Sequence, residues 1–103
     1  MDIENHYRNN TRFTCAIILH GRPDYDEYYN IQGDSPSNSH WLPWLQQQIL
    51  MRGILTQTPE MPRPYEPRYE AWRQEFAHLP VDERTLLVGH SCGGGFLLRW
   101  LSE

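Results

Sequence analysis

Apolar residues in this chain fall in short blocks separated by polar, glycine- and proline-rich stretches, and their spacing changes from block to block. Residues 13–19 (FTCAIIL) form a continuous, β-branched run closed by His20-Gly21, which predicts a buried strand. Residues 41–52 read as a helix. Pro43 suits its first turn, and Trp41, Leu45 and Ile49 recur at i, i+4 and i+8 as one stripe. Gly53 ends that helix, and residues 54–58 (ILTQT) predict a second strand. Pro59, Pro62, Pro64 and Pro67 then forbid regular structure until a helix opens near Glu66, with Pro67 at its first position. There Tyr69, Trp72, Phe76 and Leu79 recur at i, i+3, i+7 and i+10, a single face to bury, and Pro80 stops it. Thr85 to Gly89 is the third strand and residues 93–102 the third helix, apolar nearly all round apart from Arg99.

Three strands alternating with three helices imply βαβαβα, a parallel sheet with right-handed crossovers. Strands that are continuously apolar, not alternating, imply burial on both faces. Residues 1–12 hold almost nothing to bury and read as a flexible N-terminal tail, leaving 13–103 as the folded unit. Between the first strand and the first helix, residues 21–39 form an unusually long loop with three tyrosines, a length associated with function or disorder.

Composition narrows the classes. A chain of 103 residues is one domain at most. Its net charge of −4 carries no electrostatic footprint for nucleic acid or anionic lipid. All nine basic residues are arginine, so neither a P-loop lysine nor a Schiff-base lysine exists. No apolar run is long enough to span a membrane, and the first dozen residues lack a signal-peptide core. With two cysteines, the chain reads as cytoplasmic, its thiols reduced.

The chemistry is concentrated in Gly89-His90-Ser91-Cys92-Gly93, a G-x-S-x-G pattern set between an apolar strand and a helix. A serine on such a turn points its Oγ out of the sheet edge, and small residues two before and two after let strand and helix approach closely. Ser91 is thereby the candidate nucleophile. The backbone N–H of Cys92, at the helix start, is aimed to stabilise a developing oxyanion. The second such donor comes from the loop after the first strand, at Arg22 following His20-Gly21. No residue pair shows metal-ligand spacing, and no cofactor motif is present.

With these residues in view, the chain resembles the small serine hydrolases of the α/β-hydrolase superfamily grouped with retinoblastoma-binding protein 9 and the bacterial YdeN-like proteins. The resemblance rests on Ile17-Ile18-Leu19-His20-Gly21, His40-Trp41-Leu42-Pro43-Trp44-Leu45, Thr58-Pro59-Glu60-Met61-Pro62 and Leu87-Val88-Gly89-His90-Ser91-Cys92-Gly93-Gly94-Gly95, in that order. It implies a three-layer, Rossmann-like α/β fold and a Ser-Asp-His triad with Ser91 as nucleophile. It also implies hydrolysis of small-molecule esters or related acyl compounds without a cofactor. Members of the family are nearly twice as long, and their Asp and His come later. The chain therefore reads as an N-terminal half whose triad Asp and His are missing.

A serine needs a base within about 3 Å. Glu103, the only acid after Ser91, is one helix length away, roughly 18 Å at 1.5 Å per residue. His90 is adjacent in sequence but diverges at a sharp turn. His20 is the best internal candidate, with loop anchoring as its competing role; His40 belongs to the first helix start, and His6 and His78 to the surface. A thiol at a helix start can also be activated, which makes Cys92 an alternative nucleophile. The Leu86-Leu87-Val88 strand lacks an edge-protecting charge or proline, so self-association through it is expected. Three readings follow: a serine hydrolase, a catalytically silent binding domain, and a half-enzyme completed by another chain.

Overall fold

The computed structural model describes residues 13–103; the expected tail at residues 1–12, with His6, lies outside the described residues. The sheet has three parallel strands: β1 (Cys15–Leu19), β2 (Leu55–Gln57) and β3 (Thr85–Gly89), in spatial order β2-β1-β3. Cys15 pairs with Leu55 on one side and Thr85 on the other, and the second register runs on to Leu19 opposite Gly89. Being central, β1 has both its faces and both its edges covered. This accounts for the apolar run Ala16-Ile17-Ile18-Leu19, in which every residue is buried.

Among the described residues four α-helices accompany the strands, one more than the sequence pattern predicts. The extra one is a single turn, α1 (Tyr25–Tyr28), inside the expected 21–39 loop, followed by a 3₁₀ turn at Pro36–Asn38. Asp24 and Glu27 close α1 with a reciprocal capping box, a local polar signal that apolar periodicity does not register. The longer helices are α2 (Leu42–Leu50), α3 (Tyr69–Phe76) and α4 (Cys92–Leu101). Helix α3 starts later than Pro67 because Arg68 is still extended, at φ −122°. Gly53, at φ 82°, turns the chain out of α2 toward β2.

The side chains of β1 divide the core into two layers. Ile17 and Leu19 face Met61, Trp72, Phe76, Phe96 and Leu97; Ala16 and Ile18 face Leu42 and Ile49. Helices α3 and α4 thus share one face of the sheet and α2 takes the other, giving an α/β/α sandwich.

Three expectations about burial change. On α2 the buried stripe runs through Leu42 and Ile49 with Leu45, while Trp41 sits at the helix entrance and is partly exposed. Strand β2 alternates, with Thr56 buried between exposed Leu55 and Gln57, because it is an edge strand. Strand β3 is the other edge and is only half-buried after Thr85; helix α4 buries Gly93, Phe96 and Leu97 but leaves Leu98 and Leu101 exposed. Among the described residues, no helix is long and apolar enough to cross a membrane.

Burial orders the cost of substitution. Phe76→Ala should cost about 3–5 kcal/mol, since its ring is buried against Phe96 and Trp100. Leu98→Lys, on the exposed side of α4, should stay within about 0.5 kcal/mol. Chemical denaturation of both variants reads the difference.

Candidate functional site

Ser91 occupies the turn between β3 and α4, in the left-handed half of backbone space at φ 54° and ψ −115°. A non-glycine residue held there costs roughly 1–3 kcal/mol and persists only where its surroundings enforce it. Those surroundings are explicit. The His90 N–H donates to Leu19 O (3.0 Å), extending the sheet to the edge of the turn, and the Gly93 N–H donates back to His90 O (2.9 Å). The Ser91 side chain does not cap its own helix, so its hydroxyl is not spent on the backbone.

The glycines around it are required by contact. A Cβ on Gly93 would lie 2.5 Å from Leu19 O and 2.6 Å from His20 O; one on Gly89 would lie 2.5 Å from both Cα and N of Gly94. Helix α4 therefore rests its first turn directly on the backbone ends of β1 and β3. Gly95 has open space instead, with nothing within 4 Å of an added Cβ.

The His20–Arg22 segment abuts the same turn. A Cβ on Gly21 would be 3.2 Å from Ser91 Cβ and from His90 O. His20 is buried and both ring nitrogens are engaged: Nδ1–H donates to Gly21 O (2.8 Å), and Nε2 accepts from the Met61 N–H (2.9 Å). This fixes the neutral tautomer, and it removes His20 as a base for Ser91. Glu60 Oε2 is 3.9 Å from Nε2. Because Nε2 already accepts from Met61, it carries no proton for the carboxylate, and the pair is a proximity, not an ion pair. The Glu60 carboxylate instead accepts from the Ser37 N–H (2.8 Å) and the Ser37 hydroxyl, tying the 3₁₀ turn to the segment before Met61.

Ser91 and Arg22 line one pocket of about 90 Å³. The long loop brings Glu27, Tyr28, Asp34 and His40 into it, and His90 completes the wall beside Ser91. Sequence reading placed those four in the long 21–39 loop and at a helix start; only the loop's length and tyrosines signalled them. His40 is itself left-handed at φ 57°, and its ring lies 5.2 Å from that of His90, which also meets Trp41 edge-on. Among the described residues, His90 Nδ1 is buried without a hydrogen-bond partner. The Arg22 Nε–H donates to Tyr65 O (3.1 Å).

Tyr65 anchors the tyrosines of α1. Tyr25, Tyr28 and Tyr29 all pack on its ring at 5.1–5.5 Å, and the Tyr29 and Tyr65 hydroxyls are 3.1 Å apart. That hydrogen bond pushes the Tyr29 pKa up to about 12 and, together with Arg63, lowers that of Tyr65.

Cys92 is the first residue of α4, and its amide has no acceptor within the helix. Its side chain faces away from Ser91's pocket into an apolar groove of about 320 Å³ between α3 and α4, lined by Trp72 and Phe96. Burial pushes the Cys92 thiol above its usual pKa, more than Arg22 lowers it. Activation by the helix N-terminus, expected from position alone, does not prevail. Among the described residues, no cluster of three or more His, Cys, Asp or Glu side chains is arranged to hold a metal ion.

No protein-family model matches the chain. It is 36% identical over 80 residues to a Bacillus subtilis (strain 168) protein named "Putative hydrolase YdeN", covering 75% of this chain and 42% of that one. The crystal structure of the ydeN gene product from B. subtilis superposes with a TM-score of 0.64 at 31% identity, over 85% of this chain and 42% of that chain. The chain has a YdeN-like hydrolase fold and spans less than half the length of these relatives.

The contact pattern separates the roles of Gly93 and Gly95. Gly93→Ala should lower stability by about 1–3 kcal/mol or prevent folding, because the added methyl meets strand carbonyls that cannot move. Gly95→Ala should raise it by up to about 1 kcal/mol, by helix propensity alone. Thermal melts give both signs. For Cys92, the raised pKa means that less thiolate exists at a given pH than in a free thiol. In a Cys15→Ser background, iodoacetamide should alkylate it more slowly than free cysteine at pH 8, and the rate should still be climbing above pH 9.

Proposed function

We propose that this chain carries the nucleophile half of a serine hydrolase acting on small-molecule esters or related acyl compounds. The carrying observation is Ser91: a non-glycine residue held at φ 54° between a parallel strand and a helix, its hydroxyl facing a pocket. Strain of this kind serves to present a side chain, and the hydrolase name of a 36% identical relative agrees with it. In this reading Ser91 Oγ attacks an acyl carbonyl. A base takes the Ser91 proton as the bond forms, the N–H groups of Cys92 and Arg22 donate to the oxyanion, and the base returns that proton to the departing group. Water then cleaves the acyl-serine ester by the same route.

Among the described residues no side chain is hydrogen-bonded to Ser91 Oγ as a base: His20 is committed to Gly21 and Met61, and His40 and His90 line the pocket with Ser91 without such a bond. Among the described residues, the outer edge of β3 is unpaired, and its C-terminal end carries Ser91. A further parallel strand on that edge would present its own C-terminal loop about 5 Å from the turn. This favours a second form of the proposal: the site is completed by polypeptide docking on β3, either other sequence of the same protein, a second polypeptide or a second copy of this chain.

Fluorophosphonate labelling followed by intact mass tests the reading. The chain should gain one adduct slowly, and Ser91→Ala none, since an oxyanion site without a base retains roughly 10³-fold over uncatalysed reaction. Added imidazole should accelerate labelling in proportion to its concentration. No adduct on the folded chain at high imidazole, or an equal adduct on Ser91→Ala, overturns the assignment.

A further inference from the structure

The pocket at Ser91 differs from the groove beside it in size and in lining. It is about 90 Å³, smaller than an engineered apolar cavity of about 150 Å³ that takes up a benzene ring. Arg22, Glu27, Asp34, Ser39, His40 and His90 make most of its wall. An alkyl chain entering it would desolvate these groups and return little apolar contact. Tyr28 supplies the aromatic side of the wall, and its ring is held from behind by Tyr29 at 5.0 Å and Tyr65 at 5.1 Å. The loop that carries it is fastened at its far end by the Glu60–Ser37 contact. The wall is thus braced at two places, and Tyr28 is not free to swing aside without breaking a tyrosine stack.

We propose that Tyr28 is a size-determining residue, and that the pocket it closes accepts short, hydrophilic acyl groups of about two to four heavy atoms, such as acetyl or glycolyl, and refuses aryl and medium-chain acyl groups. This rests on Ser91 being the nucleophile, so that the adjoining pocket receives the acyl part. Tyr28 touches the acyl group and takes no part in proton transfer. Glu60 acts through Ser37 and is a positioning residue.

The test is binding, independent of any acyl transfer. Primary amides mimic the acyl group without being labile: acetamide and glycolamide against hexanamide and benzamide, titrated into the ¹⁵N-labelled Ser91→Ala chain. The amide signals of Gly21, Glu27 and His40 should respond to the two short amides at concentrations at least tenfold lower than to the two large ones. Any response to hexanamide should fall at Gly95 and Phe96, in the apolar groove. Tyr28→Ala should reduce the preference at the pocket signals at least tenfold, and Tyr28→Phe should retain it. If Tyr28→Ala does not fold, Tyr28→Leu, which shortens the wall but keeps an apolar contact with Tyr65, should show the same relaxation. Equal or tighter response of the pocket signals to hexanamide in the unmodified pocket overturns the proposal, as does a preference unchanged in a folded Tyr28→Ala or Tyr28→Leu. Loss of fluorophosphonate labelling with this binding preference intact would remove the nucleophile and leave the pocket's selectivity standing.

Discussion

The site depends on a backbone-to-backbone contact. The first turn of α4 rests on the ends of β1 and β3 with no side chain between them, Gly93 against the Leu19 and His20 carbonyls and Gly89 against Gly94. Protein interiors are packed densely enough that a single methyl group here has nowhere to go. Because helix and strands are held this close, the connecting residue must turn sharply, and Ser91 takes up a backbone conformation it would not adopt alone. The strain at Ser91 is a consequence of that closeness. The Cys92 amide, at the start of α4 and without an acceptor in the helix, follows directly on Ser91.

Around this contact the polar groups are arranged by depth. His20, beneath the turn, is neutral and doubly hydrogen-bonded, which burial demands of a polar side chain. It links the His20–Arg22 segment to Met61, and the neighbouring Glu60 links Met61's segment to the loop at Ser37. Two stretches that carry little periodic signal, 21–39 and 58–68, are thereby tied to each other and to the turn at Ser91. The tyrosine group around Tyr65 is a second lock on the same loop, closer to solvent.

The two cores differ in completeness. The layer under α3 and α4 is rich in aromatic contacts, with Trp72, Phe76 and Phe96 mutually packed. The layer under α2 covers β1 well, whereas Leu86 and Val88 of β3 are only partly covered by it. With Leu98 and Leu101 exposed on α4, the less finished side of the molecule is the β3 side.

Much of this was legible before any coordinates. Local rules determined the three strands, the parallel order and the two breaks at Gly53 and Pro80, because apolar runs, turn residues and proline act over a few positions. The Gly89–Gly93 spacing likewise marked Ser91, since the pattern encodes a steric requirement of the turn itself. Helix boundaries and faces were less legible. The stripe on α2 shifted to Leu42 and Ile49 because the direction of β1, not the helix's own periodicity, selects the buried side. Tertiary structure alone decided that Glu27, Tyr28, Asp34 and His40 meet Ser91, that His20 is spent on Gly21 and Met61, and that the Cys92 thiol is raised and not activated. Each of those depends on partners far apart in the chain, and on desolvation that only the assembled layers create.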